Sequence, residues 1–355
     1  MIPKPLQRVA TGVVDSSGAG TLLSRVASRT AFWILLVDLL AVGGFGLASP
    51  SFVFLTFASA QDLGVAGAEI VILAVGETMA LAAGEIDISL AGNLVLSSVV
   101  GGKVMVAISG AGSIGASHTQ ASIAVGVALG FLAAAATGSA VGLLNGISVA
   151  YLKVSSLITT LATAGITLGM ALVLTNGVDL TGIPSQVQSG FGDYFVGGAV
   201  PVVDVFVLVV VIGIAFVMGA TRFGLRTLAL GSSREAARRA GFTIERHLIA
   251  LFMAVGLCGG VTGFLDLARF GSTNLAGHTT DALAAIAGAV IGGTSLFGGR
   301  YSIVGSVCGA MLSVILEQGL VVVGVPSFYQ QIAVGLVLIT AVYVDGRRRH
   351  RVSNS

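Results

Sequence analysis

Charge is scarce in this 355-residue chain: Asp, Glu, Lys and Arg make up 10% of it, where a soluble domain carries about 25%. With 55% hydrophobic residues and a mean hydropathy of +0.99, that shortage excludes an ordinary soluble globular domain. Lysine is the rarest charge. Lys4, Lys103 and Lys153 are followed by Pro5, Val104 and Val154, so no G-x-x-x-x-G-K-[ST] phosphate loop exists. ATP hydrolysis through that loop is thereby excluded. Cys258 and Cys308 both sit in apolar runs and read as small buried hydrophobes, not as a disulfide or a metal site. His118, His247, His278 and His350 are scattered without ligand spacing, so no metal site is expected. Residues 1–29 lack the apolar core of a cleavable signal, which leaves the first apolar run as an uncleaved anchor.

Glycine, by contrast, is plentiful at 51 residues, while proline is held to 6, so the glycine does not signal disorder. Gly-rich apolar segments suit membrane helices that pack backbone to backbone. Runs of spanning length cover 31–48, 63–83, 88–109, 121–143, 155–175, 201–220, 248–268, 282–296, 302–324 and 329–345. A span needs ~20 residues, so 282–296 is marginal and fits a short, tilted or re-entrant helix. The fold expected is an all-α polytopic membrane protein.

The cations cluster in three places: Lys4, Arg8, Arg25 and Arg29; then Arg222, Arg226, Arg234, Arg238, Arg239 and Arg246; then Arg347, Arg348, Arg349 and Arg351. Each cluster abuts an apolar run, so the positive-inside rule accounts for them and no nucleic-acid partner is implied. Six runs lie between Arg29 and Arg222 and four between Arg246 and Arg347. Both counts are even, so all three clusters fall on one side. The expectation is about ten membrane-spanning helices with both termini cytoplasmic. A tail at 1–29 leads into a membrane domain at 30–346 with a cytoplasmic loop at 221–247, and a basic tail at 347–355 follows. The segment 176–200 then faces outward, with Asp179 and Asp193 and no cation. It is either a plain connector or the surface for an extracytoplasmic partner.

Three motifs carry the functional argument. "GEIDIS" (84–89) and "GGTSLFGGR" (292–300) are Gly-rich breaks between paired apolar runs. Irregular backbone at membrane depth is tolerated only beside protein or water, so the breaks are candidates for lining a pathway. Asp87 and Ser89 precede a helix start and suit N-capping. Glu85 has no capping role, which makes it the stronger pathway candidate. Glu69, Glu77, Asn145, Thr159, Thr160, Thr163, Tyr329, Gln330 and Gln331 are further hydrogen-bonding groups, with interhelical bonding as the competing role. Asp266 and Arg269 are expected to pair locally at i+3. The third motif is "GSSREAARRAGF" (231–242). Ser232 and Glu235 read as a capping box, Gly241 as a left-handed end, and Glu235 pairs with Arg238 or Arg239. Ala236, Ala237 and Ala240 leave a face with almost no side chain. That suits a short rigid helix seated in another protein's groove, against the alternative of a solvated loop helix near headgroups.

Four stretches resemble the membrane permease of ribose-type ABC importers, which carry monosaccharides, related polyols and autoinducer-2. They are "NGISVAYLKVSSLITTLATAGITLGMALVLTNG" (145–177), "SREAARRAGF" (233–242), "AIAGAVIGGTSLFGGRYSIVGSVCGAML" (285–312) and "GVPSFYQQIAVGLVLI" (324–339). Where that family reads G-G-I-D-L-S-V-G, this chain has Gly84, Glu85, Ile86, Asp87, Ile88, Ser89, Leu90, Ala91 and Gly92. Glu85 thus replaces a glycine, and one residue is added before the last glycine. The resemblance implies a multi-pass permease subunit of the bacterial inner (cytoplasmic) membrane, not an enzyme. It also implies a dimer with a second permease copy or paralogue, two ATP-binding domains that bind the ATP, and a periplasmic or extracytoplasmic solute-binding protein. The chain itself needs no cofactor on that reading. The coupling segment to the ATPase falls on Ser233, Arg234, Glu235, Ala236, Ala237, Arg238, Arg239, Ala240 and Gly241. The translocation pathway is expected at Gly84, Glu85, Asp87, Ser89, Asn145, Thr160, Gly292, Gly293 and Thr294. Two other classes fit the composition: an ion-coupled secondary transporter using Glu69, Glu77, Glu85 or Asp87, and a structural membrane scaffold.

Overall fold

A computed structural model describes residues 30–110 and 119–326, together with positions 329, 332, 335 and 336. Both expected tails, Gln330, Gln331 and most of the run at 329–345 lie outside the described residues. The helices long and apolar enough to cross a membrane are α1 (Thr30–Ala48), α2 (Phe57–Ala82), α3 (Leu90–Ser109), α4 (Gln120–Ala150), α5 (Ser156–Thr175), α6 (Val202–Ala220), α9 (Ile244–Phe270) and α11 (Ile303–Val322). Between them lie the short α7 (Arg222–Ser232), α8 (Arg234–Arg239) and α10 (Asp281–Ile291). The all-α polytopic class holds. Eight spanning helices stand among the described residues. The run at 282–296 forms α10, which at ~1.5 Å per residue is about half the length a bilayer requires. The region 221–247 also contains α7, a helix with no counterpart in the expected pattern.

Helix ends follow local chemistry. The hydroxyls of Thr56, Thr119 and Ser302 accept the backbone N–H three residues on, at 3.2, 3.1 and 3.1 Å, and so start α2, α4 and α11. Gly110 and Gly271 end α3 and α9 in left-handed turns.

Burial ranks the helices. In α2, 83% of the spanning window is buried and in α9 72%, against 17% in both α1 and α6. α2 and α9 therefore form the protein-facing centre, and the outer helices turn apolar side chains such as Leu161, Val173, Val209 and Phe216 outward. α9 meets α4 along Gly138, Gly142, Gly256 and Gly260, where an added Cβ would overlap the facing backbone. Packing this close replaces the hydrophobic drive that lipid does not supply. The segment 176–200 is ordered: a helical turn at Ser185–Val187, a π turn at Gln188–Gly192, and a hairpin pairing β1 (Phe195–Val196) with β2 (Val200–Pro201). Phe191 anchors it, its ring 5.6 Å from Phe206 and 5.8 Å from Phe264.

Candidate functional site

The chain breaks where α2 ends. Gly84 takes φ +78°, and the following backbone needs partners that no helix supplies. Side chains of α2 itself, of α5 and of Asp87 within the break provide them. The Asp87 N–H points at the Glu77 carboxylate on α2, at 3.2 and 3.3 Å. The Ile86 and Ile88 N–H groups donate to Ser156 Oγ (3.3 Å) and Thr160 Oγ1 (3.1 Å) on α5. Asp87 Oδ1 accepts from the Ser89 N–H (2.9 Å) and hydroxyl (2.5 Å), and Asn145 Nδ2 on α4 donates to Ser89 Oγ (2.8 Å). Gly84, Glu85, Asp87, Ser89, Asn145 and Thr160 are thus brought to one place. Glu77, Asp87, Ser89 and Asn145 are essentially inaccessible. Asp87 Oδ2 and Asn145 Oδ1 remain without hydrogen-bond partners. One expectation fails. Ser89 flanks α3 but makes no capping bond, because its hydroxyl is turned to Asp87.

The second break is separate from that group but touches it. Thr294 Oγ1 lies 3.2 Å from Ser306 Oγ and accepts the Ser302 N–H at 3.2 Å, while Thr78 on α2 donates to the same Ser306 at 2.7 Å. Gly292 packs on Gly305 of α11, and Gly293 takes φ +94° beside it. The N–H groups of Gly292 and Gly293 donate to the Gly288 and Val290 carbonyls of α10, both at 2.9 Å. What joins the breaks is the Gly299 N–H, which donates to the Ala82 carbonyl at 3.0 Å and satisfies the end of α2.

α7 and α8 seat an elbow on this junction. Gly231 lies so close to the Ala82 carbonyl and Gly299 that a Cβ would overlap both. Arg234, the first residue of α8, forms an ion pair with Glu85. Glu85 therefore has a cationic partner, where the sequence alone left it unpaired. The cap also differs: Ser232 closes α7, and Ser233 accepts the Ala236 N–H at 3.2 Å. The capping box of Ser232 and Glu235 is not formed. Glu235 does pair with Arg239, and Gly241 ends the elbow at φ +80°. The alanine face divides. Ala237 is 1% exposed against the core, whereas Ala236 and Ala240 face outward. A cleft of about 610 Å³ opens between these parts, lined by Glu85, Arg234 and Arg238 with Val149, Lys153 and Ser156.

A third polar group sits farther along α2. Glu69 is thirteen residues before Ala82, or ~20 Å at the helical rise. Arg269 reaches Glu69 (3.5 Å) and not Asp266, so the expected i+3 pair is not formed. Asp266 instead binds His278 Nε2 (3.1 Å), and Asp281 binds Nδ1 (2.7 Å). His278 lies between α9 and α10. Burial alone would push its pKa down, but the hydrogen bonds and charges of Asp266 and Asp281 push it up to about 10. Asp179 on the 176–200 segment accepts from the Leu275 N–H (2.9 Å) and fastens that segment to the same connection. Residues 149 and 200 positions apart make these contacts, so no spacing pattern points to them. Among the remaining expected polar groups, Thr159 Oγ1 is buried without a partner, the Thr163 carbonyl accepts from Thr167, and Tyr329 is exposed.

Comparison with known proteins identifies the family. Residues 60–342 match the family described as branched-chain amino acid transport system / permease component. The chain is 31% identical over 315 residues to the D-allose transport system permease protein of Escherichia coli K12, covering 88% of this chain and 90% of that one. It is 32% identical over 280 residues to the ribose import permease protein of the same organism, covering 78% and 82%. It is 32% identical over 321 residues to the L-arabinose ABC transporter permease protein of Azospirillum brasilense, covering 90% and 88%. No solved structure matches it.

Proposed function

We propose that this chain, which belongs to the branched-chain amino acid transport system / permease component family and within it to the ribose-type sugar and autoinducer-2 permeases, is the membrane-spanning subunit of a binding-protein-dependent importer for a monosaccharide or related polyol. Substrate moves inward on ATP bound and hydrolysed by a partner subunit. Two copies, or one copy and a paralogue, pair with two ATP-binding domains in the bacterial inner membrane. The outward apolar faces of α5 and α6 supply surface for lipid and for the second permease.

One observation carries this reading: the elbow is fastened to the helix break. Arg234 holds Glu85, and Gly231 rests on Ala82 and Gly299, so displacement of α8 is passed to the ends of α2 and of the second break. α8 presents exposed Ala236, Ala240, Arg238 and Arg239 for docking while Ala237 roots it in the core. At the break, the partnerless oxygens of Asp87 and Asn145 are acceptors suited to sugar hydroxyls. In this topology about ten spans place both termini and the elbow inside. α10 and its flanking segments then return the chain to the elbow side. The hairpin, with exposed Tyr194, Val196 and Val200, faces outward toward the solute-binding protein.

The test is reconstitution of the chain with its ATPase and binding protein in proteoliposomes. Uptake of a bound sugar should require ATP inside and the loaded binding protein outside. Uptake abolished by an uncoupler yet indifferent to ATP would refute the reading in favour of an ion-coupled carrier.

A further inference from the structure

We propose that Glu69, Asp266 and His278 form a binding site for a divalent transition-metal ion, with zinc as the reference case. Each residue offers one donor atom, and the three atoms lie within 4.8 Å of one another. The residues come from α2, α9 and the α9–α10 connection and are 5%, 0% and 6% exposed. Two ligands held ~2.0–2.2 Å from zinc stand ~3.4 Å apart. The 3.1 Å between His278 Nε2 and Asp266 Oδ1 is close to that separation, and the Glu69 donor lies within 4.8 Å of the other two.

Two features separate this group from an ordinary ion-pair network. First, Asp266 Oδ2 is fully buried with no hydrogen-bond partner by geometry, and the Ser98 hydroxyl that faces Asp266 is bonded at 3.0 Å to the Val95 carbonyl. A metal ion is a partner that such a buried carboxylate oxygen accepts. Second, Asp281 takes the Nδ1–H of His278 at 2.7 Å, the carboxylate–histidine arrangement that fixes ring orientation and presents Nε2 to a metal. A mixed imidazole and carboxylate set favours zinc-like ions over magnesium or calcium, which prefer all-oxygen shells. The ion would tie α2, α9 and the α9–α10 connection together, ~20 Å along α2 from the elbow junction.

The experiment needs no transport activity and is independent of the importer reading. The full chain, purified in detergent and stripped with chelator, is titrated with Zn²⁺ by calorimetry and with Co²⁺ by visible absorption. One Zn²⁺ per chain is expected, with Co²⁺ absorption showing nitrogen and oxygen ligation. His278→Gln should abolish both signals, and Asp281→Asn should weaken Zn²⁺ binding roughly 10–100-fold, as second-shell changes do. Co²⁺ absorption that is absent from wild type, or unchanged in His278→Gln, overturns the proposal. If His278→Gln fails to insert, the wild-type cobalt spectrum and Asp281→Asn decide it alone.

Discussion

The Glu85–Arg234 ion pair is where the proposed coupling is most exposed to refutation. Glu85 is 3% accessible and Arg234 59%, so the pair is neither a surface bridge nor a buried one. Exposed pairs contribute ~0.2–1 kcal/mol, whereas breaking a buried pair costs ~3–5 kcal/mol. A coupling energy of about 2 kcal/mol, roughly thirty-fold in an equilibrium, is the value between those limits. Arg234→Ala strands a buried carboxylate and should destabilise the protein by that amount. Glu85→Gln removes the stranded charge, so the double variant should recover most of the loss. Thermal unfolding of the four proteins in detergent closes the cycle, and uptake driven by the loaded binding protein reports its functional side. Uptake should fall in both single variants without loss of membrane insertion. Strictly additive stability changes, or wild-type uptake in Arg234→Ala, would show that the elbow does not act through Glu85.

Ala236 faces outward and Ala237 inward, so Ala236→Trp should leave unfolding unchanged yet abolish co-purification of the ATPase, while Ala237→Trp should destabilise the chain itself. Retention of the ATPase by Ala236→Trp would remove α8 as the docking helix. Thr160→Val orphans the Ile88 N–H and should cost ~1–3 kcal/mol, with Thr160→Ser restoring the loss; thermal unfolding measures both. A reporter fused after Ser189 should be found outside and one after Gly231 inside. The opposite result at either position would overturn the topology.

What the sequence makes legible here is what lipid enforces. Backbone groups in hydrocarbon must be satisfied within the protein, which a helix does along its own length, so apolar runs such as 31–48 and 155–175 become α1 and α5 almost end for end. Local chemistry is legible too: Gly241 ends its helix in a left-handed turn, and Glu235 pairs with Arg239. The errors arise where tertiary packing overrides a local rule. Ser232 has the spacing of a cap, yet the seating of Gly231 on Ala82 extends α7 through Ser232 and passes the cap to Ser233. Asp266 and Arg269 have the spacing of a pair. A histidine from the next connection takes the aspartate, and Glu69 from α2 takes the arginine. Each substitute partner lies outside the window in which helical periodicity carries information.

Glu85 shows the same limit in a form that bears on mechanism. Its sequence neighbourhood holds no cation, which makes it resemble a free pathway carboxylate. Its partner arrives from a helix 149 residues away, and that separation is the point. A contact formed by neighbours in sequence fixes one element, whereas a contact between the elbow and the α2 break makes two elements move as one. α2 is continuous over 26 residues and carries Glu77 against the break and Glu69 against the His278 cluster. A displacement entering at Arg234 therefore meets a rigid helix anchored by buried carboxylates at two levels. Because Glu77 holds the Asp87 N–H and Glu69 is paired with Arg269, α2 has few ways to yield gradually. Movement of the elbow is then more readily answered by a switch between discrete packings than by gradual bending.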